Sequence, residues 1–139
     1  HVKLRDIVIA MTASTDSAHN RLRFNGMDFA PAADYELFTR ACSLATEREL
    51  RFHAGGIVSS DTFYQDDPDA WKQWALYGAL AVEMETNALY TLASRASARA
   101  LTICTVSDSL VTREDLPPVE REKSFREMIE LSLDTAVPE

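Results

Sequence analysis

Ala79-Leu80-Ala81-Val82-Glu83-Met84-Glu85 carries an apolar run straight into two acids at i, i+2. A short apolar run bounded by polar residues is consistent with a buried strand. A second run, Ala100-Leu101-Thr102-Ile103-Cys104-Thr105-Val106, empties into Ser107-Asp108. Between them, residues from about Glu83 to Ala96 read as a helix. Strand, helix and strand in succession imply a largely parallel sheet covered by helices. In open sheets of that kind, ligands bind at the carboxyl ends of the strands. Two acidic strand ends joined by one helix are therefore expected to reach into one pocket.

The flanking sequence alternates in the same way. Ile7 to Met11 reads as a strand, followed by a polar loop from Thr12 to Asn25. Pro31 is expected to open a helix through about Thr46, with Tyr35, Phe38, Cys42 and Ala45 at helical spacing. A strand near Phe52 to Val58 leads into Ser59-Ser60-Asp61 and then Phe63-Tyr64. Asp66-Asp67-Pro68-Asp69 reads as a turn and cap feeding a helix through Trp71, Trp74 and Tyr77, with Gly78 at its end. Tyr64, Trp71 and Trp74 are assigned to packing. After a loop from Ser107 to about Pro118, one long helix is expected to run to about Leu133. The fold class is α/β, a mixed or largely parallel sheet with covering helices, and residues 1–139 form part of one domain.

Composition narrows the functional classes. The 139 residues are 46% hydrophobic and 26% charged, as in ordinary globular proteins. A formal charge of −8 argues against nucleic acid as the main partner, because phosphate backbones need clustered Lys and Arg. No window approaches the roughly 18 uninterrupted apolar residues of a membrane span. No signal peptide is visible, and without an initiator Met the chain reads as a piece of a longer polypeptide. Cys42 and Cys104 are too few for a disulfide framework, and a reducing, cytoplasmic setting fits them. His19 and His53 lack ligand spacing, so no metal is expected.

Leu80 to Thr86, Ala88-Leu89-Tyr90 and Leu101 to Asp108 together resemble the hexameric bacterial-type purine nucleoside phosphorylases. His1 to Asp6, Ser60-Asp61-Thr62-Phe63-Tyr64, Glu120-Arg121 and Phe125 to Ile129 match in the same order. The resemblance runs over essentially the whole chain but corresponds only to the C-terminal portion of the family. The Gly-rich phosphate loop, the phosphate-binding arginines and a neighbouring subunit's His, all from the family's N-terminal portion, have no counterpart in these residues. The resemblance implies a nucleoside-phosphorylase-like fold incomplete on its N-terminal side, a homohexamer, phosphate as co-substrate and no cofactor.

Breaking a nucleoside C–N bond makes an oxocarbenium-like sugar and a purine leaving group, as in glycoside hydrolysis. A carboxylate can grip both vicinal ribose hydroxyls through charge-assisted hydrogen bonds. The resemblance gives that role to Glu85, places Met84 on the ribose face, Glu83 near the base or sugar edge, and Val82 in the substrate pocket. An acid at a helix start is also a favourable N-terminal cap, and the motif alone leaves both roles open. The departing purine takes a proton at N7, which the resemblance assigns to Asp108, a general acid that burial would keep protonated. Arg121 matches its partner, approaching transiently to favour the ionised acid and drive the proton across. Ser107 orients this loop, and Phe63 matches the aromatic platform under the base.

Two departures from the family stand out. Asn87 occupies a position commonly small and apolar, and Ser109 replaces a frequent His. Three activities compete: phosphorolysis of purine nucleosides, hydrolysis by a methylthioadenosine/adenosylhomocysteine-type nucleosidase, and nucleoside binding without turnover. The Thr-Ile-Cys-Thr-Val-Ser-Asp wording and the Glu-Arg pair favour the first.

Overall fold

The structure, a computed structural model, describes residues 1–137, and the side chains of residues 122–124 fall outside that description. Ten elements follow one another: β1 Ile7–Thr15, α1 His19–Arg23, α2 Tyr35–Glu47, β2 Phe52–Ser59, α3 Trp71–Leu76, β3 Val82–Glu83, α4 Thr86–Ala96, β4 Thr102–Thr105, α5 Pro118–Ser124 and α6 Arg126–Ala136. The strands form one sheet in the order β3-β2-β1-β4. β2 runs parallel to both β1 and β3, whereas β4 is antiparallel to β1. The fold is thus α/β with a mixed, mostly parallel sheet.

Alternation along β1 sorts its side chains onto two faces. Ile7 and Ile9 pack with Ala41 and Ala45 of α2 and Leu131 of α6. Val8 and Ala10 face the other way, against Ile57 and Tyr90 of α4. Ala13 joins this second cluster because the register shifts between Ala10 and Thr12, which leaves Met11 as the extra residue of a bulge. Both faces of β1 are covered, which explains its continuous apolar run.

Several boundaries differ from the sequence expectation. β1 continues through the polar residues to Thr15, because backbone pairing to Gly56–Ser59 does not require apolar side chains. Within the expected Thr12–Asn25 loop a short helix, α1, also forms. α2 begins at Tyr35 rather than near Pro31, since the Asp34 carboxylate accepts from the Leu37 amide at 3.0 Å and supplies the cap. β3 is shorter than expected, yet Leu80 N still donates to Gly56 O at 2.9 Å and extends the contact to β2. The single long final helix is two helices. Phe125 separates them at φ −89°, ψ −2°, in the bridge region, without Gly or Pro.

Candidate active site

α4 starts where β3 ends, and Glu83 makes the junction. Its Oε2 accepts from the amides of Glu85 and Thr86, both at 2.8 Å. Its Oε1 accepts from the hydroxyl of Ser59, the last residue of β2, and the same Ser59 oxygen accepts the Asn87 amide at 2.8 Å. The first amides of a helix have no partner within the helix, and here a carboxylate and a hydroxyl satisfy them. Glu85 is the N-cap residue by position, but its side chain makes no capping bond and is exposed. One acid of the pair is engaged by the backbone. The other is free to meet a ligand.

The loop carrying Phe63 is tied to the same junction. Ser60 N donates to Glu83 O at 2.8 Å. Asp16, just beyond β1, accepts from Ser60 Oγ at 2.6 Å and from Asp61 N at 2.9 Å. Phe63 is 74% exposed and meets Tyr64 edge to face, with ring centroids 5.0 Å apart. Tyr64, expected to pack, is 87% exposed instead, because this loop projects both rings outward. Val82 and Met84 also present exposed side chains at the strand end.

Asp108 and Arg121 meet. Arg121 Nη2 donates to Asp108 Oδ1 at 2.8 Å, and its Nε donates to Leu116 O at 2.8 Å. Ser107 Oγ donates to the other Asp108 oxygen, while Ser107 O accepts the Leu116 amide at 2.8 Å. The loop from Ser107 to Leu116 thus folds back on itself and delivers the guanidinium to the carboxylate. Ser109 accepts from the Thr112 amide at 3.1 Å and stabilises the turn. Asp108 is half exposed, not buried as expected, because this loop leaves the sheet and lies over a cleft of about 320 Å³. Trp71 lines the same cleft rather than the core.

The strand that leads to Asp108 does not run parallel to its neighbour. Glu83 lies opposite Ser59, which lies opposite Thr15, whereas Thr105 lies opposite Ile7. Beyond β4 the loop from Ser107 carries Asp108 to a cleft that Pro68 and Trp71, from the segment after Phe63, also line. α4 meets β4 where the Thr86 hydroxyl donates to Thr102 Oγ1 at 3.0 Å, and Cys104 lies two residues further along that strand. Its thiol is pushed up to about 11, first by burial and then by the negative charges of Glu83 and Glu85.

Asn87 and Tyr90 lock α4 onto the sheet. Asn87 Nδ2 donates to Ala13 O at 2.6 Å, and its Oδ1 accepts from Asn20 Nδ2 at 3.0 Å. Tyr90 donates to Ala10 O at 2.6 Å and accepts the Thr102 amide at 2.9 Å, and burial raises its phenol pKa. Sequence reading missed Ser59 and Asp16. No local signal marked Asp16, because the polar residues Thr12–Thr15 before it did not read as a strand. Among the described residues, no helix is long and apolar enough to cross a membrane, and no three His, Cys, Asp or Glu residues are grouped to hold a metal ion.

A family model described as the phosphorylase superfamily matches residues 1–136. The chain is 56% identical over 135 residues to a protein named purine nucleoside phosphorylase DeoD-type from Thermoanaerobacter sp. (strain X514), covering 97% of this chain and 58% of that one. Similarity to the protein of the same name from Clostridium perfringens (strain SM101 / Type A) is 50% over 136 residues, covering 98% of this chain and 58% of the relative. For the Geobacillus kaustophilus (strain HTA426) protein, again of that name, the figures are 48% identity, 98% and 57%. The chain thus spans less than two thirds of the length of the relatives it matches.

Proposed function

The chain belongs to the phosphorylase superfamily, and from that premise we propose that it supplies the sugar-holding and base-protonating part of a purine nucleoside phosphorylase. The reaction is reversible phosphorolysis of purine nucleosides and 2′-deoxynucleosides to free base and (deoxy)ribose 1-phosphate. The observation that carries it is the 2.8 Å contact between Arg121 and Asp108, which sets the guanidinium where it favours the carboxylate left after proton donation.

Glu85, its carboxylate unclaimed by α4, holds the ribose 2′- and 3′-hydroxyls, while Met84 and Val82 contact the nucleoside and Phe63 stacks on the base. Asp108 donates a proton to N7 as the C1′–N9 bond breaks. Arg121, already in contact with the acid, favours its carboxylate form as the proton passes to the base. The C–N electron pair leaves with the purine, and a phosphate oxygen bonds to C1′. Phosphate is a co-substrate and no cofactor takes part. Its binding groups come from a segment outside these residues, in a cytoplasmic homohexamer.

The test is phosphate dependence in the full-length protein. Base release from inosine should require inorganic phosphate and yield ribose 1-phosphate, and the 139-residue chain alone should be inactive. Undiminished base release in phosphate-free buffer would assign the protein to hydrolysis instead.

A further inference from the structure

Arg5 touches both segments that carry the acid and its partner. Its backbone amide donates to Val106 O at 2.9 Å, at the end of the β4 segment just before Ser107-Asp108. Its guanidinium Nη2 pairs with Glu120 Oε2, and Glu120 directly precedes Arg121 on α5. Arg5 adopts φ 71°, a conformation that costs a non-glycine residue energy and persists only where the surroundings enforce it.

Asp6 supplies that enforcement. It is 2% exposed, and its carboxylate accepts from the Lys3 amide, Arg51 Nε and His53 Nε2, each at 2.8 Å. Its carbonyl accepts the Val106 amide at 2.9 Å, completing a two-bond clamp on Val106 with Arg5. Asp6 therefore holds the turn at residues 4–5, and the turn aims Arg5 at α5.

Resting on the phosphorolysis reading above, we propose that Arg5, together with Glu120, is a positioning residue for the Asp108–Arg121 contact. It ties the end of β4 to the first turn of α5, so that Arg121 arrives at Asp108 in register. A solvated surface pair contributes little stability by itself. Its consequence here is geometric, because one residue distant in the chain grips both segments.

The experiment uses the full-length protein with Arg5→Ala, Glu120→Gln, the double variant and Arg5→Lys. Each single variant should lower kcat for inosine about two- to fivefold, the range an exposed ion pair supports, with KM nearly unchanged. The double variant should be no slower than either single one, and Arg5→Lys should recover most of the loss. Turnover of 7-methylinosine, whose base leaves without N7 protonation, should be unaffected. Equal losses on both nucleosides, or losses that multiply in the double variant, would overturn the proposal. Hydrogen exchange gives a readout free of turnover. The Glu120 and Arg121 amides, bonded to Pro117 O at 2.9 and 3.0 Å, should exchange faster in Arg5→Ala while the Asn87 amide does not change. Unchanged exchange at α5, or uniform acceleration everywhere, counts against it. A wild-type protein that phosphorolyses no purine nucleoside removes the functional reading instead, and exchange then decides the role of Arg5.

Discussion

The backbone amide of Glu85 donates to the side-chain carboxylate of Glu83 at 2.8 Å, and this bond separates two acids that the sequence presents as near equals. Glu83 is a structural cap. Glu83→Ala deprives the Glu85 and Thr86 amides and the Ser59 hydroxyl of their acceptor, so it should cost about 1–2 kcal/mol, the range for loss of an N-terminal cap. Calorimetry should show a lower melting temperature, and an unchanged one would remove the capping role.

Glu85→Gln should behave in the opposite way. The side chain makes no capping bond, so stability should hold. Ribose binding should weaken, since hydrogen bonds to charged groups contribute on the order of 1.5–3 kcal/mol each. In the full-length protein, kcat/KM should fall more for ribonucleosides than for 2′-deoxyribonucleosides, which lack one of the two hydroxyls. No loss on either sugar would leave Glu85 without a ligand role.

How far the sequence discloses this arrangement depends on the kind of signal. Ile7–Met11 and Phe52–Val58 were legible as strands because burial on the sheet demands apolar side chains. Thr12–Thr15 was not, because ladder bonds involve only the backbone. The direction of β4 leaves no mark in Thr102–Thr105, since apolar content reports burial and not polarity of pairing. The Asp108–Arg121 contact followed from family wording; a separation of thirteen residues predicts no contact by itself. Arg5 and Asp16 stayed hidden because their partners lie 115 and 44 residues away, where no local period reaches.

Asn87 departs from the small apolar residue that family resemblance leads one to expect, and its surroundings account for it. It is buried, bonded to Ala13 O and Asn20 Nδ2. Asn87→Ala strands a buried carbonyl and a buried amide, each costing about 1–3 kcal/mol when left unpartnered. The urea midpoint should drop without a change in slope. A variant as stable as wild type would mean that water replaces the amide at no cost.

Cys104 gives an alkaline dependence whose sign follows from its pKa. An ordinary thiol here would titrate near 9.0, whereas burial and the two glutamates raise this one to about 11. Between these values the folded chain retains a proton that the unfolded chain has lost. The associated stability is therefore fully present below pH 9 and fades as pH rises through 11. Because the thiolate is the nucleophile, iodoacetamide at pH 8 should label native Cys104 at least about tenfold more slowly than the denatured chain. Peptide mapping separates it from Cys42, and equal native and denatured rates would contradict the raised pKa.

Asp108 is the residue on which the proposed chemistry turns. A purine leaves poorly as an anion, so inosine and adenosine both depend on a proton at N7. A carboxylic acid can supply one, and it can also accept from a 6-amino group, so both purine classes should be substrates. Asp108→Asn keeps the shape and the hydrogen bond to Ser107 but cannot act as a general acid. In the full-length protein it should lower turnover of inosine and adenosine by on the order of 10²–10⁴-fold, the usual contribution of general acid catalysis. Arg121→Ala should reproduce this pattern more mildly, because the guanidinium assists the transfer without donating. 7-Methylinosine carries the positive charge already, and its cleavage should survive both substitutions. If 7-methylinosine and inosine lose rate equally, Asp108 holds the loop from Ser107 to Leu116 in place and the proton comes from elsewhere.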